Sequence, residues 1–144
     1  MNILLVKPHW PVGYGQVRYA RHVRFPALAL GILATLSDGH QVTTVDASVR
    51  RVPFDGDFDL VGITVTTFAA PAAYGIADRF RKRGVPVVMG GVHPSLPPNE
   101  CLEHADAAAV GEAEHVWPLL LEDVAAGRWI ELYRGDRIPE ASDF

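Results

Sequence analysis

The segment Val87-Val88-Met89 runs directly into Gly90-Gly91-Val92-His93-Pro94. A short apolar, β-branched run cut off in this way reads as a strand buried on both faces, and so as part of a parallel sheet covered by helices. That places the chain in the α/β class. The glycine pair falls just past the strand's carboxyl end, the edge at which open α/β sheets bind their ligands. Two glycines there keep side chains away from the backbone or let it take φ > 0. A plain tight turn explains one glycine readily and two less well.

The rest of the chain fits the same class. Asn2–Val6 is a first apolar strand, and a loop rich in Pro, Gly and aromatic residues follows it to about Pro26. Leu28, Ile32, Leu33 and Leu36 have the spacing of a helix with one buried face, stopped by Gly39. Gln41–Val45 alternates as a second strand and ends at Asp46, and Asp59–Val65 is a third. A helix from about Pro71 to Arg83 ends at Gly84 and leads into the strand Val85–Met89. A short helix at Pro98–His104 precedes an alanine-rich fifth strand, Ala105–Val110. In the last helix, Glu114–Ala126, the expected apolar stripe is Val116, Leu119, Leu120 and Val124, closed by Gly127. The expectation is a Rossmann-like or flavodoxin-like, doubly wound parallel sheet of five strands with helices on both faces. Trp129–Tyr133 is a candidate additional edge strand. Residues 1–133 form the domain, and 134–144 read as a C-terminal linker.

The composition narrows the function classes. The chain has 144 residues, enough for one domain with a real core and too few for two comfortable ones. Its formal net charge of −4 and scattered basic residues give no footprint for nucleic acid. No apolar run reaches the roughly 18–20 residues that span a membrane, and Met1–Val6 lacks the parts of a signal peptide. The single cysteine, Cys101, suits a reducing cytoplasm and cannot by itself hold an iron–sulfur cluster.

The loops after the strands converge on one edge and carry the candidate site. Thr64, Thr66 and Thr67, with Val65 between them, end the third strand. One threonine there is explained by strand preference alone, but three hydroxyls beside Gly90 and Gly91 favour ligand binding. Val92 and His93 continue the glycine loop; His93 either bonds a ligand or organises the loop, and the second role is preferred. Gly111, Glu112 and Glu114 open the last helix, where acids suit the helix dipole and ligand contact is the minority reading. His9 and Trp10 follow the first strand. A histidine there could ligate a metal, although loop packing is the commoner role. Tyr14, Tyr19 and Phe25 wall an apolar pocket or anchor the long loop.

Taken in order, several pieces resemble one family. They are Ile3-Leu4-Leu5-Val6-Lys7-Pro8, Phe25-Pro26-Ala27-Leu28-Ala29-Leu30-Gly31, Gly39-His40-Gln41-Val42, Asp59-Leu60-Val61-Gly62-Ile63-Thr64, the glycine loop, and Gly111-Glu112-Ala113-Glu114. Their order and spacing resemble the N-terminal cobalamin-binding domain of cobalamin-dependent radical SAM enzymes, which include methyltransferases and the oxygen-independent magnesium-protoporphyrin ester cyclase. The resemblance implies cobalamin as cofactor, its nucleotide tail entering at the sheet edge and its corrin over the strand ends. Thr64 and Thr66 would meet the tail, and Gly90 and Gly91 would let it pass. The implied binding set is Thr64, Val65, Thr66, Thr67, Gly90, Gly91, Val92, His93, Gly111 and Glu112, with no catalytic residue and no metal ligand. The mutase-type Asp-x-His-x-x-Gly motif is not met by Lys7-Pro8-His9-Trp10-Pro11-Val12-Gly13, which lacks the aspartate and places the glycine one position late. The resemblance therefore implies base-off cobalamin without a protein histidine on cobalt. S-adenosylmethionine and a 4Fe-4S cluster would belong to a radical SAM core domain or subunit that is absent here.

Other readings share the fold. A flavin binder wants a hydroxyl-rich loop after the first strand, where Pro8-His9-Trp10-Pro11 stands. A dinucleotide enzyme wants Gly-x-Gly-x-x-Gly, and Gly13-Tyr14-Gly15 followed by Arg18 fails it. A receiver domain wants an aspartate where Thr64 stands. A protein-interaction module built on the aromatic first loop stays open.

Overall fold

The computed structural model describes residues 1–9 and 27–135. Trp10, Tyr14, Tyr19 and Phe25 in the first loop, and most of the expected linker, lie outside them. The elements are β1 (Asn2–Lys7), α1 (Leu28–Thr35), β2 (Gln41–Asp46), β3 (Leu60–Thr64), a 3-10 turn at Thr67–Ala69, α2 (Ala70–Arg81), β4 (Val87–Gly90), α3 (Pro98–His104), β5 (Ala107–Val110), α4 (Ala113–Ala125) and β6 (Leu132–Arg134). The sheet order is β2-β1-β3-β4-β5-β6. Every pairing is parallel.

The sheet has six strands rather than five. The sixth is the candidate edge strand, shortened and shifted to Leu132–Arg134, with Ala108 opposite Leu132 and Ala109 opposite Tyr133. Tyr133 is buried, and its hydroxyl donates to Asp123 at 3.1 Å while accepting the Ile130 N–H at 3.1 Å. This clip ties the strand to the end of α4 and covers the alanine-rich β5, whose small side chains leave room for it.

Side-chain alternation divides the core into two layers. On one face, Leu4, Val6, Val61, Ile63, Val65, Val87 and Met89 pack under α2, with Phe80 fully buried among them. On the other, Ile3, Leu5, Leu60, Val88 and Ala107 pack under Leu30 of α1 and Val116, Trp117, Leu120 and Leu121 of α4. The expected helix faces need correction here. Leu28 and Ile32 of α1 are 73% and 42% exposed, and Leu30 is the residue that faces the sheet. In α4, Leu119 is 52% exposed, and Trp117 and Leu121 take the inner positions. α1 is apolar all round, so its sequence carries no strong phase. Its rotation is fixed instead by Ser37, just past its end: the buried Ser37 hydroxyl accepts the Trp117 Nε1–H at 2.8 Å and donates to the Leu33 carbonyl at 2.7 Å.

Strand β1 leads out to the edge strand β2, and the chain then returns to β3 on the opposite side of β1. The order reverses between β1 and β3, and the C-terminal edge at such a point is where α/β sheets bind ligands. Gly39, Gly84 and Gly127 end their helices with φ of 81°, 76° and 66°, as their positions predict. Among the described residues, no helix is long and apolar enough to cross a membrane.

The Ser37–Trp117 bond gives a direct test. Ser37→Ala strands a buried indole N–H and should lower stability by about 1–3 kcal/mol. The double change Ser37→Ala/Trp117→Phe removes both polar groups, and urea unfolding should show it less destabilised than the sum of the two single changes.

Candidate functional site

The strand ladder does not stop where β3 and β4 end. Val65 N–H donates to the Gly90 carbonyl at 2.7 Å, and His93 N–H donates to the Val65 carbonyl at 3.0 Å. This closeness requires glycine at position 91. Its φ is +104°, and a Cβ there would lie 3.0 Å from the Val65 oxygen, 3.1 Å from the Val65 nitrogen and 3.3 Å from Thr64 Oγ1.

Gly90 plays a different part. It is paired with Thr64 on one side and Ala109 on the other. A Cβ on Gly90 would meet the Ala109 Cβ at 3.6 Å, an ordinary contact. Thr64, Gly90 and Ala109 therefore form a row of small side chains across the C-terminal end of the α1/α4 face. The row directly below is Leu5, Gly62, Val88 and Ala107, and Leu5 and Trp117 close over Gly62 and fill it. The sheet thus ends in a half-exposed, side-chain-poor strip bordered by a hydroxyl.

The expected site residues distribute as follows. Thr64 and Gly90 are half-buried on the strip, and Thr66, Thr67, Gly91, Val92, Gly111 and Glu112 are exposed along the same edge. Thr66 precedes the 3-10 turn without its side chain capping it. The side chain of Val65 is fully buried on the opposite, α2 face, so this residue contributes backbone only. His93 is also buried, with Nε2 2.9 Å from Tyr74 Oη and Nδ1 3.4 Å from Thr67 Oγ1, which gives it the loop-organising role. Glu112 stands at the N-cap of α4 with no side-chain capping bond, and Glu114 lies in the first turn.

Three residues that sequence reasoning passed over hold these loops in place. Ser95 Oγ donates to the Gly91 carbonyl at 2.9 Å and accepts the Gly111 N–H at 3.2 Å, joining the loops after β4 and β5. Tyr74 on α2 reaches His93 and donates to Glu100 on α3 at 2.7 Å. Burial, followed by the bonds to Glu100 and Cys101, pushes the Tyr74 hydroxyl far above its ordinary pKa. Burial also pushes the Cys101 thiol up, so it is a core residue rather than a nucleophile.

A groove of about 1040 Å³ lies beside this edge, between the loop 47–56 and α2, lined in part by His9, Arg50, Arg51 and Arg79. It contains no residue of the glycine loop. Its Arg79 guanidinium already sits 3.4 Å over the Phe54 ring. At the end of β2, Asp46 bonds Lys7 Nζ at 3.0 Å and accepts the Ser48 N–H at 2.9 Å. Partial burial alone would raise the Asp46 pKa, but the Ser48 and Lys7 contacts outweigh it and hold the carboxyl below its usual value.

The family B12 binding domain matches residues 26–121, well over half of the chain. The chain is 46% identical over 114 residues to a bacteriochlorophyllide d C-8(2)-methyltransferase of Chlorobaculum tepidum, covering 78% of this chain and 25% of the relative. It is 34% identical over 114 residues to the bacteriochlorophyllide d C-12(1)-methyltransferase of the same organism, covering 77% and 25%. To an uncharacterized methyltransferase of Pyrococcus horikoshii it is 34% identical over 143 residues, covering 89% and 30%. The chain thus spans between a quarter and a third of the length of these curated relatives. Among solved structures, the N-terminal domain of a hypothetical protein of Thermotoga maritima matches with a TM-score of 0.51 at 20% identity, covering 79% of this chain and 99% of that one, a likeness of fold. The chain belongs to the B12-binding domain family, with cobalamin as its cofactor.

Two measurements check this geometry. Gly91→Ala should cost about 1–3 kcal/mol through positive φ and crowding against β3, whereas Gly90→Ala should stay within about 1 kcal/mol of wild type in the same urea titration. A carboxyl whose pKa is lowered on folding adds stability above its unfolded value of about 4, and that stability is lost as pH falls through the folded value. Asp46→Asn should therefore flatten the acid limb of a stability–pH curve.

Proposed function

We propose that this B12-binding domain holds cobalamin base-off across the C-terminal edge of its sheet, as the cofactor-carrying part of a methyl-transferring radical SAM enzyme. The observation that carries the reading is the strip formed by Thr64, Gly90 and Ala109. A nucleotide tail needs a slot between sheet and helices, and the absent side chain at Gly90 leaves room for one next to the Thr64 hydroxyl. A Cβ at that position would begin to fill the slot without straining the fold.

In this arrangement Thr64 and Thr66 bond the buried tail. Gly90 and Gly91 keep its path clear, and His93 holds the glycine loop from behind. Val92, Gly111 and Glu112 line the rim under the corrin. The chemistry that cobalamin supplies when bound is the carriage of a methyl group between a donor and an acceptor. This chain's own residues bind and orient the cofactor and exclude water from its tail. The base-off mode is supported at Lys7. The mutase-type motif has an aspartate there to orient a ligating histidine, whereas Lys7 is paired with Asp46 and His9 is exposed beside the loop 47–56. The relatives are methyltransferases, which favours methyl transfer over cyclisation. We assign the residues up to Arg134, the end of β6 and one position beyond the expected boundary at 133, to the domain, and those that follow to a linker toward a core that supplies the iron–sulfur cluster and S-adenosylmethionine. A lone buried cysteine suits a cytoplasmic setting.

Hydroxocobalamin added to the purified chain, followed by gel filtration, should leave retained corrin with a base-off absorption spectrum. Gly90→Leu, which fills the strip from a position that tolerates a Cβ, and Thr66→Phe should each lower retention by tenfold or more, an effect on the order of 1.4 kcal/mol. Full retention by a folded Gly90→Leu protein rejects the strip as the tail's path. A base-on or histidine-ligated spectrum rejects the base-off mode.

A further inference from the structure

Ser37 and His93 are the two buried polar side chains among the described residues. Ser37 serves Trp117. The bonds around His93 form a longer chain, and that chain has a direction. The Glu100 carboxylate only accepts, so the Tyr74 hydroxyl gives it its single proton across 2.7 Å. The Tyr74 oxygen then accepts from its other side, where His93 Nε2 lies 2.9 Å away. A neutral imidazole carrying its proton on Nε2 presents Nδ1 as an acceptor. Thr67 Oγ1 lies 3.4 Å from Nδ1, and in this neutral tautomer it is the Thr67 hydroxyl that donates. The Thr67 hydroxyl, on the exposed edge of the candidate site, is left with lone pairs alone to offer a ligand.

The elements behind this chain keep it in register. The Tyr74 ring stacks on His104, with centroids 4.2 Å apart and an interplanar angle of 10°. His104 in turn bonds Asp78 through Nδ1 at 3.0 Å. Tyr74 and Asp78 come from α2 and Glu100 and His104 from α3, so the hydroxyl is held by two helices at once.

Building on the cobalamin reading above, we propose that Thr67 is a specificity-determining residue, fixed by the relay Thr67–His93–Tyr74–Glu100 as an acceptor for one peripheral carboxamide N–H of the corrinoid. Cobalamin carries carboxamides around its ring, and each offers N–H donors. A carboxylate at the same place offers none, and two acceptors would face each other across the contact. Sites built to bond one polar group discriminate sharply against an analogue that cannot answer it. His93 and Tyr74 are positioning residues in this scheme, since they touch Thr67 and each other rather than the ligand.

The test titrates the 144-residue chain with hydroxocobalamin and with a panel of cobalamin monocarboxylic acids, each with one peripheral carboxamide hydrolysed, by absorbance. Wild-type protein should bind one of the acids roughly tenfold or more weakly than cobalamin, the loss expected for one mismatched polar contact. Thr67→Val should bring that acid within about twofold of cobalamin, and Thr67→Ser should keep the gap. Tyr74→Phe retains the stacked ring but releases the Nε2 proton, letting the imidazole donate to Thr67, and it should narrow the gap as well. Equal binding of the whole panel by wild type, with cobalamin held normally, overturns the relay while the cobalamin reading stands. A preference for an acid also overturns it, because Thr67 would then be donating. A gap that persists in Thr67→Val removes the assignment from Thr67. Failure of wild type to hold any corrinoid overturns the cobalamin reading, and this inference with it.

Discussion

Two backbone hydrogen bonds beyond the last residue of β3 hold the C-terminal edge of the sheet together. Val65 gives its N–H to Gly90 and takes the N–H of His93 on its carbonyl. Each is worth on the order of 1 kcal/mol by itself. Their larger effect is geometric, because they carry the rigidity of the sheet into what would otherwise be free loop. Gly91 lies against the Val65 backbone, and Ser95 extends the same frame to Gly111. The turn after β3, the loop after β4 and the start of α4 thereby behave as one rim, placed by the sheet rather than by their own side chains.

The alternation of a strand explains how this rim can be both firmly built and open. Val65 and Met89 point to the α2 face and are fully buried there. Thr64 and Gly90, one residue away, point to the α1/α4 face and stay half-exposed. Fastening and access are assigned to opposite faces of the same two strands. The His93 network belongs to the fastening side, reached through α2 and α3, while the small-residue strip lies on the other.

How much was legible in the sequence follows from how local each signal was. The strand ends, the helix-stopping glycines and the glycine loop are short-range features, set by side-chain size and φ, and their places were readable directly. The rotation of α1 was not, because Leu28, Leu30, Ile32 and Leu33 give every side of the helix an apolar residue. The choice of Leu30 as the inner one depends on Ser37 meeting Trp117, eighty positions later. The sixth strand is three residues long and relies on Tyr133 reaching Asp123. Tyr74, Ser95 and Glu100 escaped notice for the same reason: each is ordinary in its own segment and gains a role only across the fold. A tyrosine on the otherwise small-residue start of α2 was the one signal that could have flagged the network.

Strand β6 runs parallel to the others, so it delivers the chain to the same edge as the candidate site. Gly135 bonds the Val110 carbonyl at 2.8 Å and packs so closely on Glu112 that a Cβ would lie 2.7 Å from its oxygen. Gly135 therefore lies at the rim itself rather than at the far end of the sheet. A partner joined to the polypeptide just after Gly135 would meet this edge at high effective concentration. A weak intrinsic contact would suffice there, because the tether removes most of the search that two separate molecules would face.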